Sequence, residues 1–317
     1  MKGLTDVPGI LVGHATNLQA LTGCTVVLCH GDAVGGVDVR GSATGSCELE
    51  TLNPGHVTPF LHAIVLAGGS AFGLEATSGV RNVLEKRKIG FPAGAAYVPI
   101  VPGAILYDLA IGRADIRPDR EMGEKAVLAA SDAAVVEGNV GAGTGATVGK
   151  IFGMKQAMKS GIGSASLTLG SGVMVAALVA VNAFGDVIDP ANGAIVAGAR
   201  KSPESREFIN SAMALRHGVP DRPVFRGNTT LAVIATNARL DKVQTNKVAA
   251  LASIGVARAI SPVNTMADGD MTFAISLGKE SASVDAVGVA AAEALAQAVL
   301  RAVRAAKTAG GIPGLAG

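Results

Sequence analysis

The residues best suited to chemistry stand at a corner, Gly227-Asn228-Thr229-Thr230, where a polar stretch meets the apolar run TLAVIATNA (230–238). A threonine hydroxyl is a poor nucleophile unless a base takes its proton. Were the Asn228–Thr229 bond cut, the α-amino group freed on Thr229, with a reference pKa of about 7.7–8.0, would supply that base. The uncut chain would reach this state by an N-to-O acyl shift: the Thr229 hydroxyl attacks the preceding carbonyl, and the ester formed is hydrolysed. The small Gly227-Asn228 pair and the rigid run behind it suit such a step. They also suit an ordinary turn, because Gly-Asn favours turns and threonine favours strand starts.

Three further stretches carry candidate groups. GAGTGATVGK (141–150) resembles a phosphate loop, but that pattern requires Gly where Thr144 stands and Ser or Thr where Ile151 stands. What it delivers is one lysine, Lys150, which taken alone reads as a solvated surface residue. AIVLAGGSAFGLEA (63–76) has the strand, tight turn and serine of a nucleophile elbow, but Phe72 replaces the second glycine. Ser70 therefore reads as the N-cap of a helix running to Lys88. ADGDMTF (267–273) sets Asp268 and Asp270 two apart before a strand. An EF-hand is excluded by Phe273 and Lys279 at its glycine and glutamate positions. The pair reads either as a polar turn or as two carboxylates at one strand end, able to hold a hydroxyl or an amine.

Positioning these groups requires buried strands, and the sequence offers five: 24–29, 63–68, 173–183, 230–238 and 271–277, each a short apolar run rich in β-branched residues. ALVAVNA (177–183) and AVIATNA (232–238) echo one another, as two similar central strands would. Helical patterns cover 70–88 and 241–260, the latter with Val243, Val248, Leu251 and Ile254 on one side. The last helix shows Val287, Ala291, Leu295, Val299 and Val303 four apart. Lys86-Arg87-Lys88 reads as cations at a helix C-terminus, and 199–228 is the most surface-like segment.

The 317 residues suffice for a large core, and 49% apolar against 16% charged residues describe a globular chain. Aromatic residues at 3%, no Trp and a net charge of +2 argue against a nucleic-acid surface. Cys24, Cys29 and Cys47 are odd in number and lack metal spacing, as expected of reduced core residues in a cytoplasmic protein. No secretory leader is legible, and no apolar run of membrane-spanning length is free of Gly or charge.

GNTTLAVIATNARL (227–240), NTMADGDMTFAIS (264–276), AVNAFGDVID (180–189), HAIVLAGGSAFGLEA (62–76) and GFPAGAAYVPIVPGAILYDL (90–109) together resemble the DmpA-like family of self-processing aminopeptidases. That family includes L-aminopeptidase/D-amidase-esterases, β-peptidyl aminopeptidases and nylon-oligomer (6-aminohexanoate) hydrolases. The resemblance begins at DVPGILVGHAT (6–16) and spans nearly the whole chain.

It implies an α+β fold, a four-layer αββα sandwich of the N-terminal-nucleophile kind. It also implies one hydrolase domain, 1–317, cut between Asn228 and Thr229 into 1–228 (α chain) and 229–317 (β chain). Thr229 then matches the nucleophile, with its own amine as general base. Asp268 and Asp270 match the acidic pair that orients it, Asn182 the oxyanion residue, Lys150 a lysine assisting processing or catalysis, and Tyr107 a tyrosine lining the substrate pocket. The Asn-Thr-Thr form and the Asp pair lean toward the nylon-oligomer hydrolases. The implied enzyme takes small peptides or amides, uses no cofactor or metal, binds neither nucleic acid nor membrane, and assembles four αβ units. Alternatives are an ornithine acetyltransferase-like acyl transferase, an unprocessed small-amide-binding member, and a Ser70 hydrolase.

Overall fold

A computed structural model of the chain describes residues 2–170, 172–218 and 227–317. The strands that matter here are β1 (Ile10–Asn17), β2 (Thr22–Val39), β3 (Leu61–Ala67), β4 (Gly103–Ile105), β5 (Ile162–Thr168), β6 (Met174–Asn182), β7 (Thr229–Ala238) and β8 (Met271–Glu280). The α-helices are α1 (Ala76–Lys86), α2 (Arg120–Leu128), α3 (Ser211–Arg216), α4 (Lys242–Ala259) and α5 (Val284–Arg304).

Strand β2 belongs to two sheets. Its first half pairs with β1 and β3, and its second half, from Val34 on, pairs with β8. One sheet therefore runs β5-β6-β7-β8-β2, and the other continues through β2, β3 and β4 to Ser46–Cys47, with β1 alongside. Only β7/β8 and β3/β4 are parallel pairs among these; the remaining ladders are antiparallel.

Strand alternation builds the layers. From β7, Leu231, Val233 and Ala235 point into the core between the sheets, where they meet Leu178 of β6, Phe273 of β8 and Ile64 of β3. Ala232 and Ile234 point the other way, toward Val248 and Ala252 of α4 and Leu295 and Val299 of α5. A third cluster joins Val26 and Val65 of the second sheet to Val80 of α1 and Val127 of α2. Helices thus cover both outer faces, giving the expected αββα sandwich. With both faces of β6 and β7 covered, their sequences read as continuous apolar runs rather than alternating ones.

All five strand expectations hold to within a few residues, apart from the long extension of β2. The echoing strands β6 and β7 are antiparallel neighbours, so Asn182 and Asn237 fall at opposite ends of the pair. In α5, Val287, Ala291, Leu295, Val299 and Val303 are all buried. That helix has the length and hydropathy of a membrane span, yet 72% of its apolar window is buried within the molecule. The cations Lys86 to Lys88 do close α1. Cys24 and Cys29 are buried free thiols, and Cys47 is half-buried and free. Residues 219–226 of the expected surface segment lie outside the described residues, and within it Arg200 and Ser211 are buried.

Two helix expectations fail. Ser70 is no N-cap: it opens a 3-10 turn, Ser70–Glu75, and makes no side-chain cap, while α1 starts only at Ala76. Gly69 and Ser70 both have positive φ (78° and 55°), and the Ser70 N–H donates to the Leu106 carbonyl at 3.0 Å, which ties the turn to the segment after β4. In α4, Val243 and Ile254 face solvent, and the buried face is Thr245, Val248, Ala249, Ala252, Ser253, Val256 and Ala259. Close packing between the sheet and α5 selects small side chains, so the apolar stripe misjudges the rotation of this helix. Its start is as the sequence suggests, with Asp241 capping the Gln244 N–H in a reciprocal box.

Candidate active site at the head of strand β7

Topology gathers the candidate residues. Parallel β7 and β8 begin at the same edge, and antiparallel β6 ends there. Thr229 is therefore opposite Asn182, the last residue of β6. Asn228 bridges Asp268 in the turn before β8. Lys150 arrives from a different direction, just after the short Thr147–Val148 strand, whose following Gly149 (φ 69°) passes so close to Gly198 and Ala199 that a Cβ would lie 2.1 Å from the Ala199 nitrogen. Lys150, Asn182, Asn228, Thr229, Asp268 and Asp270 are each at most 4% exposed.

The peptide between Asn228 and Thr229 is tightly held. Thr229 Oγ1 lies 2.5 Å from the Asn228 carbonyl oxygen, which also accepts the Gly269 N–H at 2.8 Å. A Cβ on Gly269 would sit 2.8 Å from Thr229 Oγ1 and 2.6 Å from the Ala43 carbonyl, so only glycine allows this approach. One residue upstream, the Gly227 carbonyl accepts from both Asn182 Nδ2 and Lys150 Nζ, each at 3.3 Å. Lys150 Nζ further donates to Asn182 Oδ1 (2.8 Å) and to the Asn182 carbonyl (3.0 Å).

The two carboxylates hold backbone. Asp270 accepts the Thr230 N–H at 2.6 Å and the Asn264 N–H at 3.1 Å. Asp268 accepts the Phe184 N–H at 3.3 Å, and the N–H and hydroxyl of Thr265 at 2.9 and 2.6 Å. Both therefore fix the strand ends around Thr229. Tyr107 joins the site through its backbone: its carbonyl accepts Asn182 Nδ2 at 2.9 Å. Ser70 stays outside these contacts.

Burial sets the electrostatics. Removal from water brings the Lys150 ammonium down to about 7, against the pull of Asp268 and Asp270. Burial, reinforced by the charge of Asp268, raises the Asp270 carboxyl well above the usual range. Lys150 and Asp270 thus sit where a proton moves readily near neutral pH. The cavity beside Asp270, lined in part by Arg40, Thr230 and Asn264, measures only ≈ 10 Å³, room for a single water.

Two participants had gone unnoticed in the sequence. Gly269 is flagged only by standing between the two aspartates. Lys159, a second fully buried lysine, stands in AMKSGIG (157–163), a stretch that carries no motif.

The family model "Peptidase family S58" matches residues 2–316. The chain belongs to peptidase family S58. Among its relatives, an uncharacterized aminopeptidase of Mycobacterium leprae is 39% identical over 99% of this chain and 93% of that protein. A 6-aminohexanoate-oligomer endohydrolase of Kocuria sp. is 33% identical over 94% of this chain and 85% of that one. Among solved structures, the L-aminopeptidase D-Ala-esterase/amidase of Ochrobactrum anthropi, described as a variant of the Ntn hydrolase fold, superposes with a TM-score of 0.72 at 20% identity, covering 96% of this chain and 86% of that one. A Burkholderia sp. β-aminopeptidase gives 0.71 at 24% identity, covering 99% and 90%. This S58 member is accordingly a hydrolase of amide bonds built on an N-terminal-nucleophile fold, as the sequence resemblance implied.

Proposed function

We propose that the chain cuts itself between Asn228 and Thr229 and then hydrolyses small amides with Thr229 as an N-terminal nucleophile. One observation carries this reading: Thr229 Oγ1 lies 2.5 Å from the carbonyl oxygen of its own preceding peptide, and that oxygen also accepts the Gly269 N–H. Attack of Oγ1 on the Asn228 carbonyl carbon forms a tetrahedral adduct whose oxyanion the Gly269 N–H stabilises. Collapse breaks the C–N bond, the Thr229 nitrogen takes up the proton that Oγ1 gave up, and water hydrolyses the ester. The products are 1–228, ending in a carboxylate, and 229–317, beginning with a free amine.

In the cut enzyme that amine takes the Oγ1 proton as Oγ1 attacks the carbonyl carbon of a substrate amide. The proton then passes to the leaving nitrogen, and water releases the acyl group from Thr229. Asn182 Nδ2 and the Gly269 N–H, no longer held by the carbonyls of Gly227 and Asn228, become the donors for the substrate oxyanion. Asp268 and Asp270 keep the strand ends in register, and Lys150 supplies charge beside the scissile group. The printed names of the relatives, aminopeptidase and 6-aminohexanoate-oligomer endohydrolase, support small peptides or ω-amino-acid oligomers as substrates.

Intact mass of freshly purified protein tests this reading. The expected result is two fragments, 1–228 and 229–317, for the native chain and one uncut, inactive chain for Thr229→Ala. Cleavage at the same bond in Thr229→Ala would overturn it.

A further inference from the structure

A lysine with no exposed surface is costly unless its ammonium is fully engaged. Lys159 has none, and it lies outside the contacts of Thr229. It sits on the short strand Met158–Lys159, directly opposite Thr147. Its Nζ donates to the Ala146 carbonyl at 2.7 Å and to the Ser160 carbonyl at 2.9 Å. The Ala146 carbonyl and the Thr147 N–H belong to one peptide group, and that N–H donates to Asn182 Oδ1 at 3.1 Å. A cation on the carbonyl end of a peptide strengthens donation from its N–H end. One peptide plane therefore links the Lys159 ammonium to the Asn182 side chain.

On the other face of Asn182 the link is through chain adjacency. Asn182 Nδ2 donates to the Tyr107 carbonyl, and the next residue, Asp108, is buried. The Asp108 carboxylate accepts Thr22 Oγ1 and the Gly69 N–H, each at 2.7 Å. It also packs beside the segment Lys159 holds, closely enough that a Cβ on Gly145 would lie 2.5 Å from Asp108 Cβ and 3.0 Å from Oδ2. The two buried charges are of opposite sign and attract across that segment. Asn182 has three donors at Oδ1, the N–H and the hydroxyl of Thr147 and Lys150 Nζ, and two acceptors at Nδ2, the carbonyls of Tyr107 and Gly227. A flipped amide would face donor to donor and acceptor to acceptor.

We infer that Lys159 and Asp108 are positioning residues that lock the Asn182 amide with Nδ2 toward the scissile segment, acting through the Ala146–Thr147 peptide and the Tyr107 carbonyl. The inference rests on the reading of Asn182 as an oxyanion donor. Their effect belongs to the chemical step: an amide free to rotate misplaces a donor without altering where the substrate binds.

The test is a double-mutant cycle on purified, processed protein, reading kcat and KM with an L-aminoacyl p-nitroanilide and a linear 6-aminohexanoate oligomer, alongside the rate of self-cleavage by intact mass. Lys159→Met is expected to lower kcat by about tenfold to a hundredfold with KM nearly unchanged. In an Asn182→Ala background the same change should add less than about a twofold loss, because the group it positions is gone. Asp108→Asn serves as a second, near-isosteric variant and should behave alike. Losses that multiply in the double mutant, or a change confined to KM, would overturn the proposal. So would failure of both variants to fold, which assigns the pair to stability alone. A native protein that neither cuts itself nor turns over either substrate would instead remove the amidohydrolase reading, and this one with it.

Discussion

At the scale of single residues, Gly269 stands beside Thr229, because the Asn228 carbonyl accepts hydrogen bonds from both. A side chain at Gly269 meets Thr229 Oγ1 on one side and the Ala43 carbonyl on the other, so the turn must shift and carry its N–H with it. Gly269→Ala is expected to slow self-cleavage by about a hundredfold or more, the usual consequence of losing one oxyanion donor. A time course of intact mass checks this, and normal processing in the variant would show that the N–H contributes nothing. The acidic pair makes a different point. The sequence shows two carboxylates near a nucleophile, while the structure has each of them bonded to neighbouring backbone. Asp270→Asn keeps an acceptor for Thr230 but can turn a donor toward the Asn264 N–H, so it should retard cleavage less than Asp270→Ala does, as the same time course would read.

Among the elements, the strands were legible and the helices only partly so. A run buried on both faces, as in β6 and β7, carries its signal in composition, whatever its register. Helix α4 depends on rotation, and rotation is set by what it packs against, so the Val243–Ile254 stripe pointed the wrong way. Its cap, by contrast, is a local device: Asp241 and Gln244 bond each other's backbone within four residues. Asp241→Ala should therefore cost about 1 kcal/mol of stability and leave processing untouched. Leu295→Ala, in the core shared by α5 and the β5–β8 sheet, should cost about 2–5 kcal/mol. Denaturant melts of uncut Thr229→Ala carrying each change would read both.

At the scale of the whole molecule, two buried lysines change how stability follows pH. Burial lowers both Lys150 and Lys159 to about 7, from 10.5 in the unfolded chain. Between those values the unfolded chain binds more protons than the folded one, so unfolding free energy rises with pH across the window from about 7 to 10.5. Asp270 works oppositely at lower pH: with its folded value raised above 3.8, stability falls as pH climbs through that range toward neutrality. Melts of Thr229→Ala across pH should show the alkaline rise, and Lys150→Met or Lys159→Met should each flatten it. An unchanged slope in both would mean that the lysines stay charged in the fold.

The sequence by itself located five buried strands and the corner at Asn228–Thr229, because apolar runs, turn residues and short motifs are properties of neighbours along the chain. The four layers were implied only by the family resemblance, and the order of the strands in the sheets was not legible. Only the tertiary structure decided what stands around that corner. Lys150 reads as a surface lysine until β6, β7 and the turn before β8 close over it. Gly269 is an ordinary turn glycine until its N–H meets the Asn228 carbonyl, and Lys159 gives no sign at all. Their roles depend on distances between segments far apart in sequence, and on the loss of water when those segments pack, neither of which is written in any local stretch of residues.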